Sequence, residues 1–428
     1  MGKQDGICGR AISPAGAGGH LTLRILLIGV NYAPEVVGIG PYTTELAEHF
    51  AAGGHEVSVL TGFPYYPHWK IDPAYRRRRP FLVQQINGVR VVRSPILLPG
   101  SGHATSRRIV FDSSLAATSL LASSGIGAVD LVICISPPLQ LGITAWLIAR
   151  MRGARFQVHL QDLVPDAALS VGMMREGRAV RLARRLERFV YSRADRITVI
   201  SQGFFDNLVA KGVPEPKVTV LPNWVDTRLF GGAPDLAVRA ALGAVNGQIL
   251  VVHAGNMGAK QGLETIIDAA GELTADDFAV ALVGDGNHRT VLEARAGKHG
   301  TGNLKFVPLQ TDFPAILAAA DILVLVQRGQ VVDSVAPSKL LSYMAAGKPV
   351  VASVNGQSEA AHMVRQAGCG IVTPPEQPGA LAHALTTLAR DAASCAAFGD
   401  AGRRYVTTHN ERFRILERWS SLIDRQGA

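Results

Sequence analysis

Cysteine is scarce in this sequence, whose 428 residues contain only four, Cys8, Cys134, Cys369 and Cys395. They lie far apart and form no Cys-x-x-Cys or Cys-x-x-His pair. This spacing argues against a zinc site and against a disulfide framework. Unpaired cysteines are typical of a reducing compartment, so we expect a cytoplasmic protein.

Long hydrophobic runs are also absent. No apolar stretch approaches the roughly 20 residues that a membrane-spanning helix needs. The first 20 residues lack the apolar segment of a secretory signal. We therefore expect neither a spanning helix nor a signal peptide, and we expect residues 1–21, rich in Gly, Ala and Ser, to form a disordered tail.

Acidic residues are fewer than basic ones, 34 against 43, which gives a net charge of +9. This excess indicates an anionic partner such as nucleic acid, phospholipid or a phosphorylated substrate. No recognisable nucleic-acid-binding module surrounds the arginines, so we expect no nucleic acid partner. With 47% hydrophobic residues, the chain is long enough for two α/β domains with complete cores.

Residues 337–353 have the pattern of a loop, a short helix, a glycine stop and a buried strand. Ser338 is a candidate N-cap, Gly347 follows the helix, and Pro349 prevents its continuation. The first-turn N–H groups of such a helix can bind an anion. An ordinary helix-strand unit of a parallel sheet has the same pattern, so this stretch alone does not decide between the two.

Strands that open onto glycines occur three more times. Residues 23–29 lead to Gly38 and Gly40, residues 248–253 lead to Gly255, and residues 279–283 lead to Gly284. This unit is how α/β folds bring backbone N–H groups against a phosphate. The second loop also carries Lys260, which can act as a point charge on phosphate.

Polar residues continue the predicted strand over residues 156–160. Gln161 and Asp162 lie at its carboxyl end, where open α/β sheets bind their ligands. Asp162 either faces a ligand cleft or caps the following turn. His159 is more typical of a core histidine than of a catalyst.

Residues 175–196 contain eight arginines. Arg178, Arg181, Arg185 and Arg188 recur at helical spacing as one basic stripe, and Leu182, Leu186 and Phe189 form an apolar stripe. This pattern is typical of a helix that lies on anionic lipid. It is equally compatible with the solvated face of a helix that packs on a core.

Several motifs together resemble one family. They are residues 31–40, residues 62–67, His159-Leu-Gln-Asp162, Pro222-Asn-Trp224, Lys260-Gln-Gly-Leu263 and Pro337-Ser-Lys-Leu340. On these motifs the chain resembles retaining glycosyltransferases of the GT-B fold, in the large group-4 family, and within it the colanic acid biosynthesis glycosyltransferase subgroup. The resemblance extends over nearly the whole chain.

The resemblance implies an α/β fold, GT-B, with two Rossmann-like domains facing a cleft. It places an acceptor-binding domain at residues 22–226 and a nucleotide-sugar-binding domain at residues 227–408. Residues 409–428 are expected to form a helix that packs back on the N-terminal domain. The family requires no metal, and the sequence contains no Asp-x-Asp triplet.

The resemblance also implies a site. Lys260 matches the lysine that neutralises the donor diphosphate, whereas the family's paired arginine falls at Asn256, its two glutamates at Ser334 and Ser342, and the histidine of its His-Asp pair at Gln161. Ser338 and Lys339 can replace the lost contacts. The expected donor-binding residues are Gly38, Gly40, Gly255, Asn256, Lys260, Gly284, Ser334, Ser338, Lys339 and Ser342. The expected catalytic residues are Asp162, Gln161 and Lys260.

The function expected from the resemblance is transfer of a hexose, with fucose as a candidate, from a nucleoside diphosphate sugar to a lipid-linked saccharide during exopolysaccharide biosynthesis. No cofactor is expected beyond that substrate. The enzyme would be peripheral at the inner face of the plasma membrane, with an anionic surface as partner. Two alternatives remain: a sugar-nucleotide epimerase of the same fold, which needs carboxylate acid/base groups, and a catalytically silent membrane-associated subunit.

Overall fold

The structure is a computed structural model, and it describes the chain with short gaps. The described residues are 22–36, 38–66, 69–75, 80–98, 105–163, 166, 177–245, 247–308, 312–330 and 338–424. The tail predicted at residues 1–21 and the candidate donor residue Ser334 lie outside them. Within the described part of the chain, no helix is both long and apolar enough to span a bilayer.

Among the described residues, the first sheet has eight strands in the order β3-β4-β2-β1-β5-β6-β7-β8. They are β1 (Arg24–Ile28), β2 (Glu56–Gly62), β3 (Leu82–Ile86), β4 (Val89–Ser94), β5 (Leu131–Ser136), β6 (Arg155–Leu160), β7 (Arg196–Val199) and β8 (Val218–Val220). Within these described strands, only the pairing of the edge strand β3 with β4 is antiparallel. The central strands are nearly continuous apolar runs because helices cover both faces of the sheet.

In the described part of the second domain, six parallel strands form a sheet in the order β11-β10-β9-β12-β13-β14. They are β9 (Ile249–Ala254), β10 (Phe278–Val283), β11 (Leu304–Val307), β12 (Ile322–Val326), β13 (Val350–Ser353) and β14 (Gly370–Thr373). Strand β9 lies in the middle of the sheet, so the loop that follows it opens at the centre of the carboxyl edge. Ligands of open α/β sheets bind at this edge.

Helices flank both sheets and are numbered here among the described residues. They are α1 (Gly40–Ala52), α2 (Thr105–Ala122), α3 (Leu141–Arg152), α4 (Arg178–Arg193), α5 (Gln202–Ala210), α6 (Leu236–Ala241), α7 (Glu264–Glu272), α8 (Arg289–His299), α9 (Phe313–Ala319), α10 (Ser338–Ala345), α11 (Glu359–Ala367), α12 (Pro378–Ala389), α13 (Ala392–His409) and α14 (Arg412–Asp424). Helix α10 begins at Ser338 and is followed by Gly347 at φ +68° and by the buried strand β13, which confirms the helix, the glycine stop and the strand predicted for this stretch. The residue before Ser338 lies outside the described part of the chain, so the predicted N-cap role of Ser338 stays a prediction.

Helix α14 packs against the first sheet although it follows the second sheet in the chain. Its Trp419 is fully buried in one core cluster with Leu27 and Phe50. The ring of Trp419 meets that of His159 edge to face, with centroids 5.0 Å apart. The end of the chain therefore stabilises the sheet that carries Gln161 and Asp162.

The carboxyl edges of the two sheets face each other across a cleft. Helix α5 follows β7 of the first sheet, and helix α11 follows β13 of the second. Their N-terminal turns meet where the backbone N–H of Gly203 donates to Glu359 Oε1, with an N to O distance of 2.9 Å. The predicted arrangement of two Rossmann-like domains facing a cleft is confirmed.

Candidate functional site

Two glycine turns lie side by side at the carboxyl edge of the second sheet. Gly255 follows β9 with φ +144°, and Gly284 follows β10 with φ +142°. A methyl group on Gly284 would lie 1.9 Å from the carbonyl oxygen of Gly255. Only glycine fits this approach, since a side chain would meet backbone and the positive φ would strain it. The two turns thus form a compact backbone cradle.

The side chain of Lys339 lies over this cradle. It extends from the first turn of α10, and a methyl group on Gly255 would lie 2.3 Å from its Cε and 3.1 Å from its Nζ. Lys339 Nζ also donates to Gln261 Oε1 at 3.3 Å. A cation therefore lies beside the glycine backbone, which is an arrangement that suits a phosphate group.

A buried tyrosine fixes α10 against the end of β9. Tyr343 Oη accepts a hydrogen bond from the backbone N–H of Ala254 at 2.9 Å and donates to the carbonyl oxygen of the same residue at 3.1 Å. Burial raises the pKa of Tyr343, so its hydroxyl group stays protonated and keeps its donor role. These two bonds hold the first turn of α10, and with it Lys339, above Gly255.

A neutral histidine lies beneath the cradle. His253 is 1% exposed, and its Nδ1 lies 2.9 Å from the carbonyl oxygen of Val324. Burial, together with the nearby Lys339 ammonium group, lowers the pKa of His253 to about 3. The imidazole is therefore uncharged at neutral pH and adds no positive charge beside Lys339. Its Nε2 has no hydrogen-bond partner among the described residues.

Other predicted donor residues surround the cradle. Asn256 is exposed, and its Oδ1 would lie 2.7 Å from a methyl group on Gly286. Ser338 is exposed at the start of α10, and Ser342 is half-buried one turn later. Lys260 lies in the short 3-10 turn Ala259–Gln261 of the same loop, and its side chain is outside the described part of the chain.

A charged network that we did not predict connects the loops at this edge. Arg328, which follows β12, donates to the carbonyl oxygen of Ala259 at 2.7 Å and to Glu264 Oε1 at 2.8 Å. His288 Nε2 lies 2.9 Å from the same carboxylate oxygen. Burial disfavours the charge on Glu264, but hydrogen bonds from its helix N-terminus and His288, with the Arg328 charge, outweigh it and lower its pKa. The network stiffens the loop that contains Lys260.

The cleft side of the first sheet is held by a buried glutamate. Glu35 Oε1 accepts hydrogen bonds from the backbone N–H groups of Tyr65 at 2.9 Å and Tyr66 at 2.8 Å. Gly38, at φ +70°, would bring a methyl group 3.5 Å from the Tyr66 ring, and a methyl group on Gly40 would lie 2.8 Å from the carbonyl oxygen of Glu35. The predicted glycine loop is therefore packed closely against the loop after β2 that contains Tyr65, Tyr66 and Trp69, which we call the aromatic loop.

Aromatic rings and one ion pair pack together beneath the loop that contains Tyr65 and Tyr66, where Tyr65 and Phe111 belong to the buried core. Tyr65 lies within 5.3 Å of Trp69 and 5.2 Å of Phe111, measured between ring centroids. The Arg108 guanidinium lies 5.1 Å from the Phe111 ring centroid and pairs with Asp112 at 3.1 Å. The spacing of Arg108 and Asp112 by four residues on α2 was the available sequence signal for this pair.

The Asp112 carboxyl group gives a prediction about stability and pH. Burial raises its pKa from the ordinary 3.8 to about 6, with Arg108 opposing the shift. Because the folded state holds this proton more tightly than the unfolded state, the Asp112 contribution to stability falls as pH rises from about 4 to about 6. We expect the parent to lose up to about 3 kcal/mol relative to Asp112→Asn between pH 4 and pH 7. Urea unfolding of both proteins at the two pH values measures this, and a constant difference would contradict it.

Gln161 is placed inside a buried amide network. It is 5% exposed, its Nε2 lies 2.9 Å from His159 Nε2 and 2.9 Å from Asn223 Oδ1, and its Oε1 accepts from Asn223 Nδ2 at 2.8 Å. Burial lowers the pKa of His159 to about 3, which leaves a neutral ring that can accept from Gln161. Asn223 in turn accepts from Asn410 Nδ2 at its carbonyl oxygen, at 2.8 Å. Asp162 follows this network and is half-buried.

The predicted arginine stripe lies on one side of α4. Arg178, Arg181, Arg185 and Arg188 are all exposed. The three residues of the predicted apolar stripe differ in burial, because Leu182 is 67% exposed whereas Leu186 and Phe189 pack against the core. The buried residues of α4, which pack against the rest of the domain, are Val180, Glu187, Val190 and Tyr191.

Two facing Rossmann-like sheets with a cleft between them form the GT-B fold, and the glycine and lysine cradle lies on the second sheet. The chain is similar to sucrose-phosphate synthase from Thermosynechococcus elongatus, with a TM-score of 0.73 and 19% identity over 94% of this chain and 98% of that one. It is also similar to Anabaena Alr3699/HepE in complex with UDP-glucose, with a TM-score of 0.69 and 18% identity over 94% of this chain and 100% of that one. These likenesses confirm the fold.

Sequence comparison identifies the family. The family model described as "Glycosyl transferase 4-like domain" matches residues 37–224, and the one described as "Glycosyl transferases group 1" matches residues 236–405. The Escherichia coli K12 protein described as "Putative colanic acid biosynthesis glycosyl transferase WcaI" is 33% identical over 84% of this chain and 90% of its own length. "Probable glycosyltransferase WbjE" of Pseudomonas aeruginosa is 27% identical over 69% of this chain and 74% of its own length. The chain belongs to this glycosyltransferase family, which confirms the resemblance and supports a transferase activity.

Proposed function

We propose that this protein transfers a hexose, with fucose as a candidate, from a nucleoside diphosphate sugar to a lipid-linked saccharide in exopolysaccharide biosynthesis. The transfer proceeds with retention and without a metal ion. The observation that carries the proposal is the position of the Lys339 amine beside Gly255, whose turn adjoins that of Gly284. The names of two similar proteins support it, since one is a putative colanic acid glycosyl transferase and the other binds UDP-glucose.

The donor diphosphate would lie on the cradle of the second sheet. Glycosyl transfer leaves negative charge on the departing diphosphate, and preorganised positive groups that meet this charge lower the barrier. Lys339 and Lys260 would neutralise it, with first-turn N–H groups of α10 as further donors. The N–H groups of Gly255 and Gly284 already donate to the carbonyl oxygens of Val283 and Val307, so these glycines would only let the diphosphate approach the backbone closely. Asn256, Ser338, Ser334 and Ser342 would contact the nucleoside or the sugar, and the Gly38–Gly40 loop would close the site from the first sheet.

The acceptor would lie on the first sheet, between the aromatic loop and the end of β6. Asp162 is assigned to orient the acceptor or the reacting sugar, because it ends a strand at the carboxyl edge. Gln161 is assigned an indirect role, since its amide is bound to His159 and Asn223 and so fixes the backbone before Asp162. The aromatic rings of Tyr66 and Trp69 offer a surface for a sugar.

The membrane surface is the proposed source of the acceptor. Four exposed arginines on α4 present positive charge on the first sheet's side of the molecule, and Leu182 adds an exposed apolar side chain among them. Basic and apolar side chains on one helix suit the headgroup region of an anionic bilayer. The enzyme would work from the cytoplasm, peripheral at the inner face of the plasma membrane.

A binding and transfer assay tests the proposed function. Purified protein is screened with UDP, GDP, dTDP and their sugars by thermal shift, because a ligand of the native state raises the apparent stability. A labelled form of the sugar nucleotide that binds is then incubated with lipid-linked saccharides, with and without EDTA. We expect transfer that survives EDTA and yields the retained anomer. Absence of any nucleoside diphosphate binding would overturn the proposal.

Replacing Asp162 by asparagine separates its proposed role from donor binding. We expect turnover to fall at least tenfold, because the carboxylate that orients the reacting groups is lost. The dissociation constant of the nucleoside diphosphate should change less than twofold, because the donor cradle is on the other sheet. If turnover is intact, Asp162 only caps its turn.

A further inference from the structure

One carboxylate lies between the N-termini of two helices that belong to different domains. Glu359 is the first residue of α11, and its Oε1 accepts the hydrogen bond from the backbone N–H of Gly203, in the first turn of α5. Each helix follows a strand at the carboxyl edge of its sheet. The contact therefore joins the two domains across the cleft, at a place separate from the chain segments that connect them.

The electrostatics of the two helix ends favour this contact. The N-terminus of a helix carries the equivalent of about half a positive charge, and two such ends that face each other repel. Ser201 Oγ caps α5 through the N–H of Phe204, and Ser358 Oγ caps α11 through the N–H of Ala361. The Gly203 N–H is left for Glu359. A single carboxylate thus compensates both helix ends, and without it the two domains meet with like partial charges.

The absence of a side chain at Gly203 permits the contact. A methyl group at this position would lie 2.4 Å from Glu359 Oε1 and 3.4 Å from its Cδ. Glycine is less favourable than alanine inside a helix. Alanine at position 203 would therefore favour α5 itself but displace the carboxylate.

We infer that Glu359 is a positioning residue whose carboxylate clasps α5 and sets the separation of the two domains. The donor cradle at Gly255 and Gly284 lies on one domain, and Asp162 lies on the other. Transfer needs the two halves at a fixed distance, since small misplacements of reacting groups are costly. The kinetic consequence rests on the proposed function, whereas the domain separation does not.

Small-angle X-ray scattering of the full chain tests the separation. The variants are Glu359→Gln, Glu359→Ala and Gly203→Ala. Asp400→Asn removes one exposed carboxylate from α13. Gly297→Ala adds a methyl group on α8 that meets no atom of the described residues within 4 Å, its chain neighbours and its own helix backbone aside. We expect a larger radius of gyration for Glu359→Ala and Gly203→Ala than for the parent and both controls, and a smaller increase for Glu359→Gln, whose amide oxygen still accepts the hydrogen bond.

Kinetics distinguish positioning from folding. We expect kcat to fall about tenfold in Glu359→Ala, as for the loss of one charged hydrogen bond, with partial recovery in Glu359→Gln. The dissociation constant of UDP or GDP should stay within twofold of the parent value. Scattering equal to the parent in Glu359→Ala and Gly203→Ala would overturn the inference. If the variants expand but the parent shows no transferase activity, the role of Glu359 in domain separation is supported and the proposed function is wrong.

Discussion

Replacing Lys339 by alanine is expected to weaken the binding of nucleoside diphosphates by about ten- to a hundredfold. The Lys339 amine lies beside Gly255 and is held there by the docking of Tyr343 on Ala254. A hydrogen bond to a charged group contributes about 1.5 to 3 kcal/mol, and one factor of ten in affinity corresponds to about 1.4 kcal/mol. Isothermal titration calorimetry with UDP and GDP measures the change.

The control for this experiment is Lys298→Ala. Lys298 is an exposed lysine in the last turn of α8, so its loss changes the net charge by the same amount away from the cradle. Lys339→Arg keeps a cation and should recover part of the affinity. Parent-like affinity in Lys339→Ala would remove this lysine from the donor site and leave Lys260 as the candidate cation.

The buried strands and the glycine turns that follow them could be predicted, because each is indicated by residues that are neighbours in the sequence. A buried parallel strand is a continuous apolar run, and glycine after such a run marks a turn at the carboxyl edge. Gly255 and Gly284 were recognised in this way, and so was α10 with Gly347 behind it. These features depend on neighbouring residues, which are all visible in the sequence.

The contacts that complete the cradle could not be predicted from local pattern. Lys339 donates to Gln261, which is 78 positions away in the chain, and Arg328 donates to Glu264, which is 64 positions away. Sequence spacing carries no direct signal for such pairs, because they arise only when parallel strands bring their loops to one edge. Arg328 could have been suspected, since it is a charged residue directly after the buried strand β12.

The sequence predicted where Gln161 lies but not which side chains its amide contacts. The strand pattern placed it at the carboxyl edge, where a catalytic residue is expected. The structure adds that both ends of its amide are bound to other buried side chains, one of them Asn223 on the connection between the domains. The place of Gln161 at the end of β6 follows from the strand pattern of its neighbours. The burial of its amide depends on the contact with Asn223, which lies 62 positions away in the chain.

The arginine stripe of α4 gives the second large expected effect. Arg178, Arg181, Arg185 and Arg188 are exposed, so all four can approach a surface without unfolding the helix. A basic residue near an anionic bilayer contributes about 1 kcal/mol, so four together correspond to a partition coefficient changed by up to about a thousandfold. We expect the parent to sediment with liposomes that contain phosphatidylserine, and weakly with phosphatidylcholine alone.

Substituting these four arginines by glutamine should abolish most of that binding while leaving the affinity for nucleoside diphosphates unchanged. The matched control removes four positive charges from exposed positions elsewhere, namely Lys298, Arg390, Arg404 and Arg414, also by glutamine. Dissolved salt screens the attraction between the arginines and the anionic lipid, with a Debye length of about 10 Å at 0.1 M salt that shortens as salt rises. The parent should therefore also lose binding as the salt concentration is raised. If the control variant loses binding as much as the stripe variant, net charge alone explains the association. If the stripe variant sediments like the parent, the arginines form a solvated face, and the lipid-linked acceptor must be reached through another surface.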